Sequence, residues 1–244
     1  MLLSLPRIWG QHSGANQADS ILQIATTYGI AGILGTFVMD NAQNNDTVVQ
    51  ALGRRIPSIN SQHRLRCAGH ILNLVVKAIL YGEGITEFNK QIIGCSDTEA
   101  FELQRRFGAI GKVHNTVKYI MRSDLRHQQF VTLQGKDHDG EENDDAIFQH
   151  ARLLVKDGGV RWNSTYHMLY RAIQLQTPIE RFQEHPLGDD AGELSYSALD
   201  NQINADDWRE VRQYLSLLGP FVDATRHLEG NAEHEGDKGL RGLI

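Results

Sequence analysis

A short apolar run that stops at an acid limits what this chain can fold into. Residues Thr36–Asp46 read TFVMDNAQNND, so Phe37, Val38 and Met39 end abruptly at Asp40 in a cluster of short polar residues. That is the pattern of a buried strand delivering one carboxylate at its carboxyl end. Open α/β sheets bind ligands in the crevice beyond those ends, where a carboxylate can hold a metal ion or activate water. Asp40 is therefore the first candidate for both catalysis and metal binding. Asp40 and Asn41 also suit an Asx turn and a helix cap, and that is the structural alternative.

Composition narrows the functional classes. Lys+Arg total 24 against Asp+Glu 30, a net charge of −6, so any DNA contact must come from a local basic patch rather than a wholly basic surface. Two cysteines, Cys67 and Cys95, do not make a disulfide framework, and the N-terminus does not resemble a signal peptide. The composition reads as intracellular, and no apolar run approaches the length of a membrane span, so no membrane partner is expected. The length of 244 residues suits one large or two small domains.

The chain begins apolar, MLLSLP, like the tail of a strand. Ser13 then precedes a helical pattern through Ala18, Ile21, Leu22, Ala25 and Tyr28, stopped by Gly29. Beyond Asp40, Asn45 or Asp46 is placed to cap a helix through Val48, Val49 and Leu52, with Pro57 terminating it. The segment from Arg64 to His70, RLRCAGH, leads into ILNLVVKAIL, apolar on nearly every side and so expected to be a mostly buried helix. Cys67 and His70 have metal-ligand spacing, but structural zinc needs four ligands and no second pair is evident. A buried cysteine and a hydrogen-bonded histidine at a helix entrance are the default reading.

After Gly84 the strand-like runs stop. Ser96 to Glu99 forms a capping box, followed by one long predicted helix with Leu103, Phe107, Ile110, Val113, Val117 and Ile120 on a bundle seam. Arg105, Arg106, Lys112, Lys118 and Arg122 lie mainly on other faces, as a solvated basic face or, more sharply, a DNA backbone contact. The acidic stretch 136–145 is expected to be an exposed loop, Ile147–Lys156 a helix, and Gly158-Gly159 a break. Arg161 and Trp162 follow that break. Trp162 is read as plugging the core, with stacking on a nucleobase and a phosphate held by Arg161 as the functional alternative. Asn163 is the expected cap of a helix carrying Met168, Ala172, Leu175, Ile179 and Phe182. Asn204 caps another with Trp208, Val211, Leu215 and Leu218 inward, and Gly219-Pro220 is expected to interrupt it.

The order DNAQNND, then RLRCAGH running into ILNLVVKAIL, then VRWNST, then ADDWREVRQYLSLLGPF resembles the central part of a hAT-superfamily transposase over nearly the whole chain. The resemblance implies an α/β class: a partial ribonuclease H-like fold over residues 1–92 and a mostly α-helical insertion domain over 93–230; the polar, glycine-rich composition from Gly230 onward adds the expectation of a disordered tail over 231–244. It implies that Asp40 matches the second carboxylate of an Asp-Asp-Glu triad, that Cys67 and His70 match a Cys-x-x-His motif beside the active site, and that Arg161 and Trp162 match a DNA-binding Arg-Trp motif. Family members cut and join DNA with two divalent ions, usually Mg2+. DNA at transposon ends, homo-oligomer assembly and a nuclear location are implied with that activity. The first aspartate and the final glutamate match nothing between Met1 and Ile244. The expectation is thus a transposase fragment inactive alone, or a transposase-derived module for nucleic-acid or protein binding without catalysis.

Overall fold

A computed structural model describes residues 6–8, 11–82, 85–135, 151–159, 161–184 and 196–228. The expectations for the first five residues, the acidic stretch 136–145 and the tail 231–244 lie outside the described residues. The described chain is mostly helical, with a single two-stranded parallel sheet. It forms two compact units, Met1–Leu74 and Val75–Ile244.

In the first unit, Ser13 accepts from the Asn16 amide and starts α1 (Gly14–Thr27), and Gly29, at φ 67°, ends it as its sequence position predicts. β1 (Phe37–Met39) leads to α2 (Asn44–Gly53), and β2 (Arg64–Arg66) pairs in parallel with β1, setting Val38 against Leu65. Phe37 and Met39 pack on Ala18, Val48, Val49 and Leu52 from the two helices. The buried strand expected here is buried on that face only: Val38 is 68% exposed and Leu65 54%. Period-two alternation explains it, because a three-residue strand backed by helices on one side turns its middle residue the other way. The cap expected at Asn45 or Asp46 is not used, since Gln43 precedes α2 and both residues sit in its first turn. Their side chains bind Asp40 and Arg64 instead.

Helix α3 (Ala68–Tyr81) runs across the division between the units. The expectation of a mostly buried helix does not hold. Val76 and Leu80 are buried, but Ile71, Leu74, Val75 and Ile79 are 39–48% exposed. Apolarity all round a helix records what it is able to bury, and here one stripe has a packing partner among the described residues.

The second unit is a helical assembly of α4 (Ile85–Ile92), α5 (Asp97–Arg105), α6 (Gly108–Ile120), α7 (Asp124–Gly135), α8 (Trp162–Gln174), α9 (Gln176–Glu184) and α10 (Ala205–Leu228). The Ser96–Glu99 capping box forms with both reciprocal bonds. The single long helix expected after it is broken into α5 and α6, because Gly108 takes φ 56° and reverses the chain. That turn brings α6 against the end of α5 so closely that a Cβ on Gly111 would lie 1.8 Å from the Gln104 carbonyl oxygen. The seam itself is as patterned: Ile110, Val113, Val117 and Ile120 are buried with Met168, Leu169, Ala172, Ile179, Phe182, Trp208, Val211 and Leu218. Helix α10 packs on α6 and α8, and α9 on α7.

Polar groups inside this core fix its register. Asn115, fully buried, donates to the Phe101 carbonyl at 2.9 Å and to Asn201 Oδ1 at 2.7 Å. Gln183 donates to Thr116 Oγ1 and the Asn201 carbonyl and accepts from the Ile203 amide. Asn204 caps α10 as expected, accepting from the Asp206 and Asp207 amides at 2.9 Å each.

Two further expectations are corrected. Residues 151–156 are not helical: the side chain of Gln134 bonds both backbone groups of Arg152, and Arg171 bonds the Leu153 carbonyl, so side chains replace the helical ladder. Nor does Gly219-Pro220 interrupt α10, which continues to Leu228. A helix-interior proline costs about 3 kcal/mol, and burial of Leu218, Val222 and Thr225 on both sides of Pro220 opposes that cost.

Replacing an interior helical glycine by alanine normally stabilises a helix by up to ~1 kcal/mol. At Gly111 the new methyl meets backbone, so Gly111→Ala is expected to destabilise the chain by roughly 2–3 kcal/mol in urea unfolding.

Candidate functional site

The candidate residues fall into two groups, one in each unit. In the first unit, the parallel pairing of β1 and β2 continues one residue past the strands: the Cys67 amide donates to the Met39 carbonyl at 2.7 Å. Asp40 and Cys67 therefore leave the same carboxyl edge of the sheet. Cys67 is a half-buried free thiol. His70 lies in the first turn of α3, three residues on.

Asp40 is exposed and its geometry is that of an Asx turn. Its Oδ1 accepts from the Ala42 amide at 3.0 Å and from Asn45 Nδ2 at 2.6 Å. The Arg64 guanidinium donates to the Asp40 backbone carbonyl at 3.0 Å and pairs with Asp46 at 2.8 Å, tying the strand end to α2. Magnesium takes its protein carboxylates from separate elements. Among the described residues no three His, Cys, Asp or Glu side chains gather in a group able to hold a metal. The residues around Asp40 do not by themselves fit a divalent ion.

In the second unit, Arg161 and Trp162 sit at the amino end of α8. Arg161, with extended backbone, occupies the N-cap position and is exposed. Trp162 is 2% exposed and belongs to the main core cluster, with an edge-on contact to Tyr166. The residue-level reading of Trp162 as a core plug describes this position. Asn163 does not cap the helix, because α8 starts one residue earlier.

The group that orders this corner is Asp157, which sequence reasoning missed. Its Oδ1 accepts from the Gly159 amide at 2.9 Å and the Ser164 hydroxyl at 2.6 Å. Its Oδ2 accepts from Thr165 at 2.8 Å and, at 3.4 Å, from Tyr81. Lys77 Nζ donates to the Gly159 carbonyl at 3.1 Å, closing the turn from the other side. Burial, followed by the neighbouring Asp157 carboxylate, pushes the Tyr81 hydroxyl well above the usual tyrosine range and keeps it a neutral donor. The sequence did carry a signal, an Asp immediately before a glycine pair and seven and eight residues before a Ser-Thr pair, but those partners meet only through the turn at Gly158-Gly159.

Half-buried His114 on α6 is held below the ordinary imidazole value, first by burial and also by Lys118, with Asp157 opposing. No described helix is long and apolar enough to cross a membrane.

Comparison with known proteins gives a consistent set of relatives. The family profile described as the ZBED1 RNase-like helical domain matches residues 65–216. A Talaromyces stipitatus protein named "Putative transcriptional regulator tpeD" is 26% identical over 249 residues, covering 96% of this chain and 26% of that protein. A Zea mays protein named "Putative AC transposase" is 22% identical over 228 residues, covering 91% of this chain and 23% of that protein. The chain thus spans about a quarter of the length of these relatives. No solved structure matches.

Removing the hub should loosen the start of α8. Asp157→Ala is expected to cost roughly 2–4 kcal/mol of unfolding free energy, since it strands several donors to a charged acceptor, and to raise acrylamide quenching of Trp162. His114 adds a pH dependence. Its depressed pKa means that its stabilising contribution is complete above the unfolded imidazole value, about 6.5. That contribution is lost as pH falls toward the folded value, because the unfolded chain takes the proton first. Stability measured between pH 7 and 5 should fall, and His114→Gln should flatten that slope.

Proposed function

The chain belongs to the hAT-type transposase-like family, in the group carrying the ZBED1 RNase-like helical domain, and on that premise we propose that it is a transposase-derived DNA-binding protein. The observation that carries this reading is the start of α8. An exposed residue, Arg161, precedes a tryptophan locked in the core, on a turn held by Asp157 and Lys77. An arginine presented from a rigid corner is suited to contact a phosphate. In this reading Trp162 positions Arg161, and stacking of its indole on a base requires the first turn of α8 to open. One relative is named as a transcriptional regulator and the other as a transposase, and both activities are exercised on DNA. A DNA-bound role places the protein in the nucleus. Transposon ends are the DNA, and assembly with further copies the context, in a transposase.

A specific observation favours a second, catalytic reading. Asp40 and Cys67 share the carboxyl edge of a parallel strand pair, as expected of part of a ribonuclease H-like sheet, here backed by α1 and α2. In that reading Asp40 contributes one carboxylate to a metal-dependent phosphodiester-cleaving centre, with Cys67 and His70 beside it. Magnesium would supply activation of the attacking oxygen and stabilisation of the leaving one. The remaining carboxylates would have to come from elsewhere, because the described residues gather no such group.

Fluorescence anisotropy with a labelled duplex and the whole 244-residue chain tests the first reading. Salt-dependent binding with Kd on the order of 1–100 µM is expected. Arg161→Ala should weaken it roughly tenfold, about 1.4 kcal/mol, whatever the sequence, and Asp40→Asn should leave it unchanged. Failure of the wild-type chain to bind duplex or single-stranded DNA would overturn this reading. Magnesium-dependent nicking of a plasmid, abolished by Asp40→Asn, would favour the second.

A further inference from the structure

The basic residues of α6 acquire a specific arrangement in the fold. His114, Lys118 and Arg122 follow one another at intervals of four, so they stack along one face of α6 and just past its end. With Val117, Lys156 and Asp157 they line a cleft of about 380 Å³. Ligand sites commonly occupy roughly 300–1,000 Å³, so there is room for a phosphate together with its sugar.

The cations in this cleft are incompletely neutralised. Arg122 pairs with Asp97, and that hydrogen bond is the leading cause holding the Asp97 carboxyl below the usual range. Lys118 lies near Asp97 as well, but its ammonium sits over the Phe101 ring, 5.2 Å from the centroid. Lys156 is exposed and makes no ion pair or hydrogen bond among the described residues. Asp157 directs both oxygens to its own four donors. Three cations against Asp157 and Asp97 leave one positive charge in excess. Cations at a helix C-terminus are stabilising without any ligand, and that accounts for Lys118 and Arg122. It does not account for Lys156, which reaches the same cleft from the irregular segment before α8 and adds to the repulsion there.

We propose that the cleft formed by His114, Lys118, Arg122, Lys156 and Asp157 binds a phosphodiester group of a nucleic-acid backbone. The inference rests on the DNA-binding reading above and supplies it with a second contact point. A phosphodiester carries a single negative charge, matching the excess. Arg122 keeps N–H donors beyond the one given to Asp97, the two lysines act as point charges, and the His114 imidazole supplies a ring nitrogen. Lys156 and Arg161 lie five residues apart in sequence, on either side of the Asp157 turn.

The test compares the whole wild-type chain with the Lys118→Gln/Lys156→Gln double variant, with Lys156→Gln, and with Arg209→Gln, a control on the exposed face of α10 that matches the single variant in charge. Anisotropy of a labelled duplex is followed across a salt series. Loss of the cleft's phosphate contact should make the slope of log K against log salt shallower by about 1 and weaken binding at low salt, while Arg209→Gln should match wild type. If the double variant unfolds, exposed Lys156→Gln alone should reduce the slope by about 1. Wild-type binding that neither Lys118→Gln/Lys156→Gln nor Lys156→Gln alters would overturn the cleft and leave the DNA-binding reading standing. Absence of any wild-type binding would overturn both.

Discussion

The second unit depends on one half-buried carboxylate. Asp157 lies in a segment without helix or strand, where backbone groups must find partners one at a time. It collects the Gly159 amide and the hydroxyls of Ser164, Thr165 and Tyr81, tying the irregular segment to the first turn of α8 and to α3. Hydrogen bonds to an ionised acceptor are roughly twice as strong as neutral ones. With four of them on one group, the turn before α8 has little freedom, and both Trp162 and Arg161 inherit its position.

The same economy of polar groups operates deeper in the core. Asn115, Asn201, Gln183 and Thr116 form a connected set that links α5, α6, α9 and the segment entering α10. Aliphatic side chains alone would tolerate a helix sliding by a turn, whereas a buried amide out of register loses its partners at full desolvation cost. This set holds α6 in place. The spacing of His114, Lys118 and Arg122 against Lys156 is therefore a property of the fold rather than of flexible side chains alone.

Periodicity makes much of this legible in the sequence. The α6 and α8 seams, the Ser96 capping box and the Asn204 cap are local, and local patterns survive folding. What could not be read were decisions made by distant partners. Gly108 reverses a chain that otherwise reads as one helix, because only the packing of α6 on α5 asks for it. Pro220 sits inside α10, because burial on both sides outweighs its local preference. The strand at Arg64–Arg66 is a single apolar residue between two arginines, invisible until β1 is beside it. At the candidate sites, Asp40 could be read as a strand-end carboxylate or an Asx turn, and it occupies both positions at once. Asp157 was missed because its partners lie on three different segments.

The two units differ in how complete their chemistry is. Parallel sheets are ordinarily covered on both faces, yet Val38 and Leu65 stand exposed opposite the face that α1 and α2 cover. A carboxylate at the edge of such a pair has its backbone fixed but draws its side-chain partners from its own turn, as Asp40 does with Ala42 and Asn45. Metal-dependent cleavage needs several acids held within fractions of an ångström, and a two-strand edge supplies one. Phosphate binding asks for less: a few cations on rigid supports and a site that is net positive. In the proposed reading the helical unit supplies these from α6, the Asp157 turn and the start of α8. Binding is therefore the proposed reading that asks for no group beyond the described residues, and catalysis is the one that does.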